Sequence, residues 1–429
     1  MSRTLRPPNR WQKICRHLLL RVLDGLTEGR IVIRDAEGCR AVGPASAPAD
    51  FTVEIEVWDP SFYPAVLLKQ SAGTGRAYME GWWGCEDPVT LMRILARNEK
   101  VLRRWTAPTL GLLAPVHRAA LWTRRNTVAG AKKNIATHYD LGEDFFAAFL
   151  DPSLTYSSAF FTAEAADLES AQREKLDRAC RKLALGPEDH VLEIGTGWGS
   201  FAIHAVRNYG CRVTTTTISA EQARYAAERV KELGLDDRIT VLQQDYRNLT
   251  GQYDKLVSLE MIEAVGVRYY PAYFGSCSKL LKDDGAMLLQ AIVVDDRHFD
   301  HDAKHIDFIK QYIFPGGVLP SISVIAGTVG AVTDLQIGHL EDMTAHYART
   351  LRIWRERLRA AWSELVGRGK DVSFLRCWDF YFAYCEGGFR ERRIGNVQML
   401  LVKPQSAVLR NLPRAADSRV FKQKEGRAS

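Results

Sequence analysis

The amino-acid sequence predicts an α/β protein, with a doubly wound parallel sheet in its larger part and a smaller mixed domain in front. Three observations predict this. From about Glu188 onward, strand-like and helix-like segments alternate, the rhythm of parallel strands joined by crossover helices. A glycine-rich turn, Gly195-Thr-Gly197-Trp-Gly199, directly follows the first of those strands. Finally, 429 residues exceed what a single hydrophobic core usually organises. A boundary near residue 130 is therefore expected, with a smaller unit over 1–130 and a larger one over 131–429.

The opening segment carries Trp11, Ile14, Cys15, Leu18, Leu19, Val22 and Leu23 at helical spacing, with Arg10, Lys13, Arg16 and Arg21 off that stripe. Such a basic amphipathic helix either packs on a domain core or lies in an anionic membrane interface. Strand-like runs follow at 30–34 and 51–58, separated by a Gly/Pro/Ala loop, and a helical pattern runs from Pro88 to about Trp105. The basic stretch 124–133 is expected to be a linker.

In the larger unit, strands are expected at 191–194, 212–218, 239–242, 255–258 and 286–294, with helices over 201–208 and 220–233. A long amphipathic helix is expected over 341–362, with Met343, Tyr347, Leu351, Trp354 and Leu358 on one stripe. The stretch 311–333 carries no charge and is long enough to span a bilayer. Its two prolines and four glycines would break helical hydrogen bonds where lipid offers no substitute. It is expected instead as a buried, loop-rich segment over an active site.

Composition excludes several classes. With 46% hydrophobic and 25% charged residues the chain is globular, not disordered. Its eight cysteines form no CxxC pair and no Cys/His cluster, so neither a metal centre nor a disulfide framework is expected. No secretory leader pattern is visible, and a cytoplasmic location is expected. The net charge is +7, and the first thirty residues alone hold seven Lys/Arg against Asp24 and Glu28. That concentration favours an anionic membrane surface as a partner. No groove-reading module accompanies it, so nucleic acid is not expected.

The glycine turn has GxGxG spacing, whereas a nicotinamide dehydrogenase needs GxGxxG and an acid closing the second strand. Here that strand ends in Thr217-Ile218-Ser219. Glu193 at the end of the first strand suits a cofactor that carries an amino-acid cation. Ser219 and Gln222 fit either a helix capping box or a ligand contact. The third strand closes on Asp245 and Tyr246, an acid and an aromatic placed for an adenine amine and ring.

These motifs occur jointly with 138–142 (HYDLG), 154–159 (LTYSSA), 217–222 (TISAEQ), 260–266 (EMIEAVG) and 312–317 (YIFPGG). In that order they resemble the cyclopropane-fatty-acyl-phospholipid synthase family over about residues 130–402. The resemblance implies a Rossmann-like methyltransferase sheet and S-adenosylmethionine as cofactor. Cofactor contacts are implied at Tyr156, Ser157, Gly195, Gly197, Gly199, Thr217, Gln222 and Tyr246, and the strand-end reading above adds Glu193 and Asp245. It also implies an unsaturated acyl chain of a membrane phospholipid as substrate, an acyl-binding insertion near 295–380, peripheral membrane association and a homodimer.

Methylating an isolated alkene demands close positioning of a weak nucleophile. Aromatic faces must stabilise the cation left on the acyl chain, and a base must take the proton whose loss closes the ring. In the family this base is associated with a bound bicarbonate, and motif matching puts its shell on Ser158, Glu263, Gln290, Ile292 and Tyr347. Ser158 stands where a cysteine is expected and Gln290 where a histidine is expected. His138, Tyr139, Phe160 and Phe161 fit the acyl tunnel, and the aromatics among them fit ordinary core packing equally well. Three alternatives are weighed: a methylene- or methyl-branched acyl product, a small soluble methyl acceptor, and a non-catalytic lipid-binding module. The last has no reason to keep Glu263 beside an intact cofactor turn.

Overall fold

The computed structural model describes residues 4–103 and 142–411. His138, Tyr139 and the basic stretch 124–133 lie outside the described residues.

The opening part forms a four-stranded sheet of order β2-β1-β3-β4. β1 (Arg30–Asp35) and β2 (Gly38–Val42) form a hairpin, β3 (Thr52–Val57) joins β1 in parallel, and β4 (Trp83–Cys85) closes the sheet antiparallel to β3. Ile31, Ile33, Val53, Ile55 and Val57 alternate inward along β1 and β3, the period of a sheet covered on one face. α1 (Arg10–Leu23) starts at a capping box made by Asn9 and Gln12. Its apolar stripe divides. Cys15, Leu19, Leu20, Val22 and Leu23 are buried, while Trp11 and Ile14 remain 54% and 53% exposed.

Sequence patterning did not foresee α2 (Phe62–Met79) or β4. α2 contains Pro64, Gly73 and Gly75 and is kinked at Gln70, where φ is +49°, so it reads as a loop. Packing supplies what propensity lacks. A Cβ at Gly75 would lie 2.1 Å from the Phe308 ring, so only glycine lets the helix approach that closely. α3 (Pro88–Arg97) begins at Pro88 as expected and is capped by Asp87.

The larger part holds a seven-stranded sheet of order β10-β11-β9-β8-β5-β6-β7. β5 (His190–Ile194), β6 (Arg212–Thr217), β7 (Ile239–Gln243), β8 (Tyr253–Leu259) and β9 (Leu281–Val294) are parallel, with the order reversing beside β5. β10 (Gln336–Asp342) and β11 (Ile394–Val402) extend one edge antiparallel. Among the helices are α4 (Glu143–Ala147), α5 (Leu168–Lys182), α6 (Ser200–Tyr209), α7 (Ala220–Glu232) and α8 (Tyr270–Leu280).

Two expectations are corrected. The stretch 311–333 is loop only over 314–321; it begins inside a π-helical turn (Ile309–Ile313), and Ile322–Val332 forms a helix, α9, capped by Ser321 and with Ile322 and Val332 exposed. The expected helix over 341–362 starts later, as α10 (Thr344–Ala360), because Glu341 belongs to β10, paired with Gln398 of β11. α11 (Val372–Arg390) links the two parts. A Cβ at Gly387 would lie 2.5 Å from that of Met92, so α11 packs closely on α3. One apolar cluster consequently runs from Ile31 and Ile33 through Phe380 and Trp378 to Phe145 and Trp198.

Candidate active site

A cavity of about 1310 Å³ opens at the carboxyl ends of the parallel strands, beside the point where strand order reverses. Ligands of such sheets bind at that place. One end is bounded by the turn after β5 and the 154–157 loop, the other by Leu18, Leu19, Val22, Val66, Met92 and Leu95 of α1–α3. The first part of the uncharged stretch, over 311–319, lines the cavity as well.

The glycine turn is built by backbone geometry. Gly195, Gly197 and Gly199 have φ of +105°, +52° and +88°, and Gly199 starts α6. Gly195 and Thr196 donate their N–H groups to the Thr216 carbonyl at 2.9 and 3.1 Å, which fastens the turn to β6. A Cβ at Gly197 would meet nothing, so that backbone stands open to the cavity. Glu193 is buried, its Oε2 has no hydrogen-bond partner, and burial pushes its carboxyl up to about 8. These features suit a ligand with an ammonium group beside a glycine turn.

Thr217 donates to Gln222 Oε1 at 2.8 Å, and Ser219 accepts from the Gln222 N–H. Ser219 thus caps α7, while the Gln222 side chain turns to Thr217 and the cavity instead of completing a capping box. Asp245 is held by Arg247 at 2.8 and 2.6 Å, and Tyr246 packs edge-on against Tyr273. Both border the cavity, as do Tyr156 and Ser157.

Three of the five residues expected around an anion, Ser158, Gln290 and Tyr347, come together, but around a residue of the chain itself. Ser158 N (3.0 Å), Gln290 Nε2 (2.7 Å) and Asn396 Nδ2 (2.8 Å) donate to Glu260 Oε1, and the Tyr347 hydroxyl donates to Oε2 at 2.8 Å. Glu260 follows β8 with φ of +53°, a conformation that disfavours side chains, and it borders the cavity. Glu263 accepts from Ile292 N at 2.5 Å, and its Oε2 is buried without a partner. Burial, with Glu260 nearby, pushes the Glu263 carboxyl up to about 8. Tyr156, Tyr347, Tyr381 and Phe389 line the same region, with Tyr347 and Phe389 ring centroids 4.5 Å apart.

Most residues expected from sequence therefore meet in one cavity. Gly199 is not part of its lining, and Ser158 and Gln290 stand behind Glu260. Phe160 and Phe161 do not border the cavity. Phe160 stacks on His346 at 4.0 Å, and Arg349 covers Phe161. Sequence reasoning missed Glu260, Lys175 and Asn396. The first had a signal, since two glutamates three apart follow one strand end.

The sequence model of the mycolic acid cyclopropane synthetase family matches residues 127–399, and the chain belongs to that family. It is an S-adenosylmethionine-dependent methyltransferase with the class I fold. The chain is 38% identical to the tuberculostearic acid methyltransferase UfaA1 of Mycobacterium tuberculosis, over 77% of this chain and 78% of that one. It is also 38% identical to the cyclopropane-fatty-acyl-phospholipid synthase of Escherichia coli K12, over 81% and 86%. Among solved structures it resembles the mycolic acid cyclopropane synthase CmaA1 complexed with SAH and CTAB. The two are 31% identical with a TM-score of 0.60, over 63% of this chain and 98% of that one.

Proposed function

We propose that this enzyme places a one-carbon unit from S-adenosylmethionine on the cis double bond of an unsaturated acyl chain in a membrane phospholipid, closing a cyclopropane ring. One observation carries the reading: one cavity is lined both by the polar glycine turn and by a mainly apolar set of side chains from α1, α2 and α3, with Lys69 and Gln70 among them. A small soluble acceptor would leave that apolar lining without use. The Escherichia coli relative, whose name states a fatty-acyl-phospholipid product, spans most of the chain and supports the substrate class.

Bound S-adenosylmethionine would supply an electrophilic methyl group, and Tyr156, Ser157, Glu193, Gly195, Gly197, Thr217, Gln222, Asp245 and Tyr246 are the residues proposed to hold it. Tyr156, Tyr347, Tyr381 and Phe389 present aromatic faces where positive charge develops on the acyl chain, and the surrounding apolar wall keeps water away. Where the family resemblance implies a bicarbonate, Ser158, Gln290 and Tyr347 already serve the Glu260 carboxylate. Glu260 is accordingly proposed as the proton acceptor. It takes the proton given up by the added carbon as the C–H electron pair closes the ring. Glu263 fixes the Ile292 backbone behind it.

A second product is favoured by one observation. The methyltransferase UfaA1 matches this chain as closely as the synthase does, at 38% identity. A 1,2-hydride shift that moves the cation to the methyl-bearing carbon, followed by loss of a methyl proton, gives a methylene-branched chain of equal mass.

Residues 1–130 are proposed as an accessory domain that brings the enzyme to the membrane face. The described helices include none long and apolar enough to cross a membrane. The exposed Trp11 and Ile14, with Arg10 and Lys13 beside them, fit peripheral contact with an anionic surface. The test is expression in a bacterium without cyclopropane acids, followed by proton NMR of its fatty acid methyl esters. Upfield ring protons that vanish in Glu260→Gln are the expected result. No modified acyl chain, from protein that binds S-adenosylmethionine, would overturn the lipid reading.

A further inference from the structure

Lys175 lies near the middle of α5, is wholly buried and borders the cavity. Its ammonium donates to Ser157 Oγ at 2.8 Å, and Ser157 in turn lines the cofactor end. A protonated lysine carries three donors, and a neutral hydroxyl answers only one of them. The buried carboxylates around it, Glu260, Asp151 and Glu193, act on it only through space, and none is an ion-pair partner. Two of these already have work. Glu260 is saturated by four donors, and Asp151 accepts from the Ser153 and Thr155 backbones.

A buried cation without a counter-ion is costly, and so is a buried carboxylate with an orphaned oxygen. The chain carries one of each at the same end of the cavity, Lys175 and Glu193. Burial draws the Lys175 ammonium down to about 8 and lifts the Glu193 carboxyl to about 8, so the charged form of each is disfavoured in the cavity. A ligand group bearing both charges at once would relieve both. The proton transfer proposed above uses neither residue.

We propose that Lys175 is the counter-ion of the α-carboxylate of S-adenosylmethionine, and that with Glu193 it clamps the two charges of the amino-acid end. Ser157 orients the ammonium from the cavity wall. Lys175 is thus a binding residue that recognises the zwitterion and takes no part in the methyl transfer.

The test compares S-adenosylmethionine with its decarboxylated analogue, by titration calorimetry and by thermal unfolding, on the full chain. The wild-type protein should bind the intact cofactor about 10- to 100-fold more tightly, the usual worth of a hydrogen bond to a charged group. Lys175→Met should lose that factor for the intact cofactor and bind the decarboxylated analogue unchanged. Without ligand, Lys175→Met should melt no lower than the wild type, because an apolar chain of similar length replaces a buried charge. Lys175→Gln keeps a donor for Ser157 and should show the same lost discrimination. Equal weakening of both ligands, or no weakening of either, would overturn the proposal. So would a failure of both variants to fold, which would make the lysine structural.

Discussion

Gln398 donates its side-chain amide to Gln290 Oε1 at 3.0 Å, and this sets which end of Gln290 faces Glu260. With its oxygen engaged, Gln290 has only its NH₂ to offer the carboxylate. Gln398 is held by Lys182, which pairs with Glu341 at 2.6 Å. A polar chain therefore runs from α5 and β10 through the sheet to the proposed base. Gln398→Leu should free Gln290 to turn its oxygen on Glu260. We expect kcat to fall about 10-fold, the worth of one buried unmet group, with cofactor affinity unchanged. An unaltered kcat would show that Gln290 needs no such lock.

Glu260→Gln should lower turnover by about 100-fold or more, the ordinary worth of a positioned proton acceptor. Glu260→Gly should lose a similar factor, and its backbone suits the φ of +53°. Truncation leaves Ser158 N, Gln290, Asn396 and Tyr347 as donors without an acceptor, so added bicarbonate should restore part of the Glu260→Gly activity. Wild-type turnover should not respond to bicarbonate, and Glu260→Gln should not be rescued. Bicarbonate-dependent wild-type activity would move the base off the chain.

The candidate site was partly legible before the fold was known. The β5 turn, Glu263 and Tyr347 could be placed because each belongs to a short motif or a helical stripe. Glu260 could not, since its role depends on Gln290 of β9 and Asn396 of β11, which only the sheet brings beside it. Lys175 sits on a helix rich in charged residues, where one more lysine reads as solvated. The parallel strands were legible because β5 and β6 are mostly apolar or β-branched. α2 was not, because its stability comes from contacts such as Gly75 on Phe308 and not from local propensity.

Glu263 predicts a pH dependence of stability. Its folded carboxyl is raised from an ordinary 4.5 to about 8. The proton it holds when folded favours the native state fully below the unfolded value, and that advantage is lost as pH rises towards 8. Glu193 acts in the same direction. Glu263→Gln should therefore flatten the fall in melting temperature between about pH 5 and pH 8, with its largest gain at the alkaline end. A curve of unchanged slope would mean that the carboxyl is ionised in the folded enzyme.

Replacing both Trp11 and Ile14 by Glu should weaken binding to anionic vesicles by at least about 10-fold, since each buried apolar side chain is worth about 1.5–3 kcal/mol. Activity on detergent-dispersed lipid should persist, because neither side chain borders the cavity. Equal losses in both assays would mean that the two side chains support the folded enzyme and not a membrane contact.

α1 presents Trp11 and Ile14 to the outside from its first turns, while Leu18, Leu19 and Val22 from its later turns wall the apolar end of the cavity. A fourteen-residue helix is a stiff rod about 21 Å long at 1.5 Å per residue. The residue pair at its outer end and the three at its inner end therefore belong to one rigid body. A bilayer that took up the tryptophan would fix, through that body, the position of one wall of the cavity.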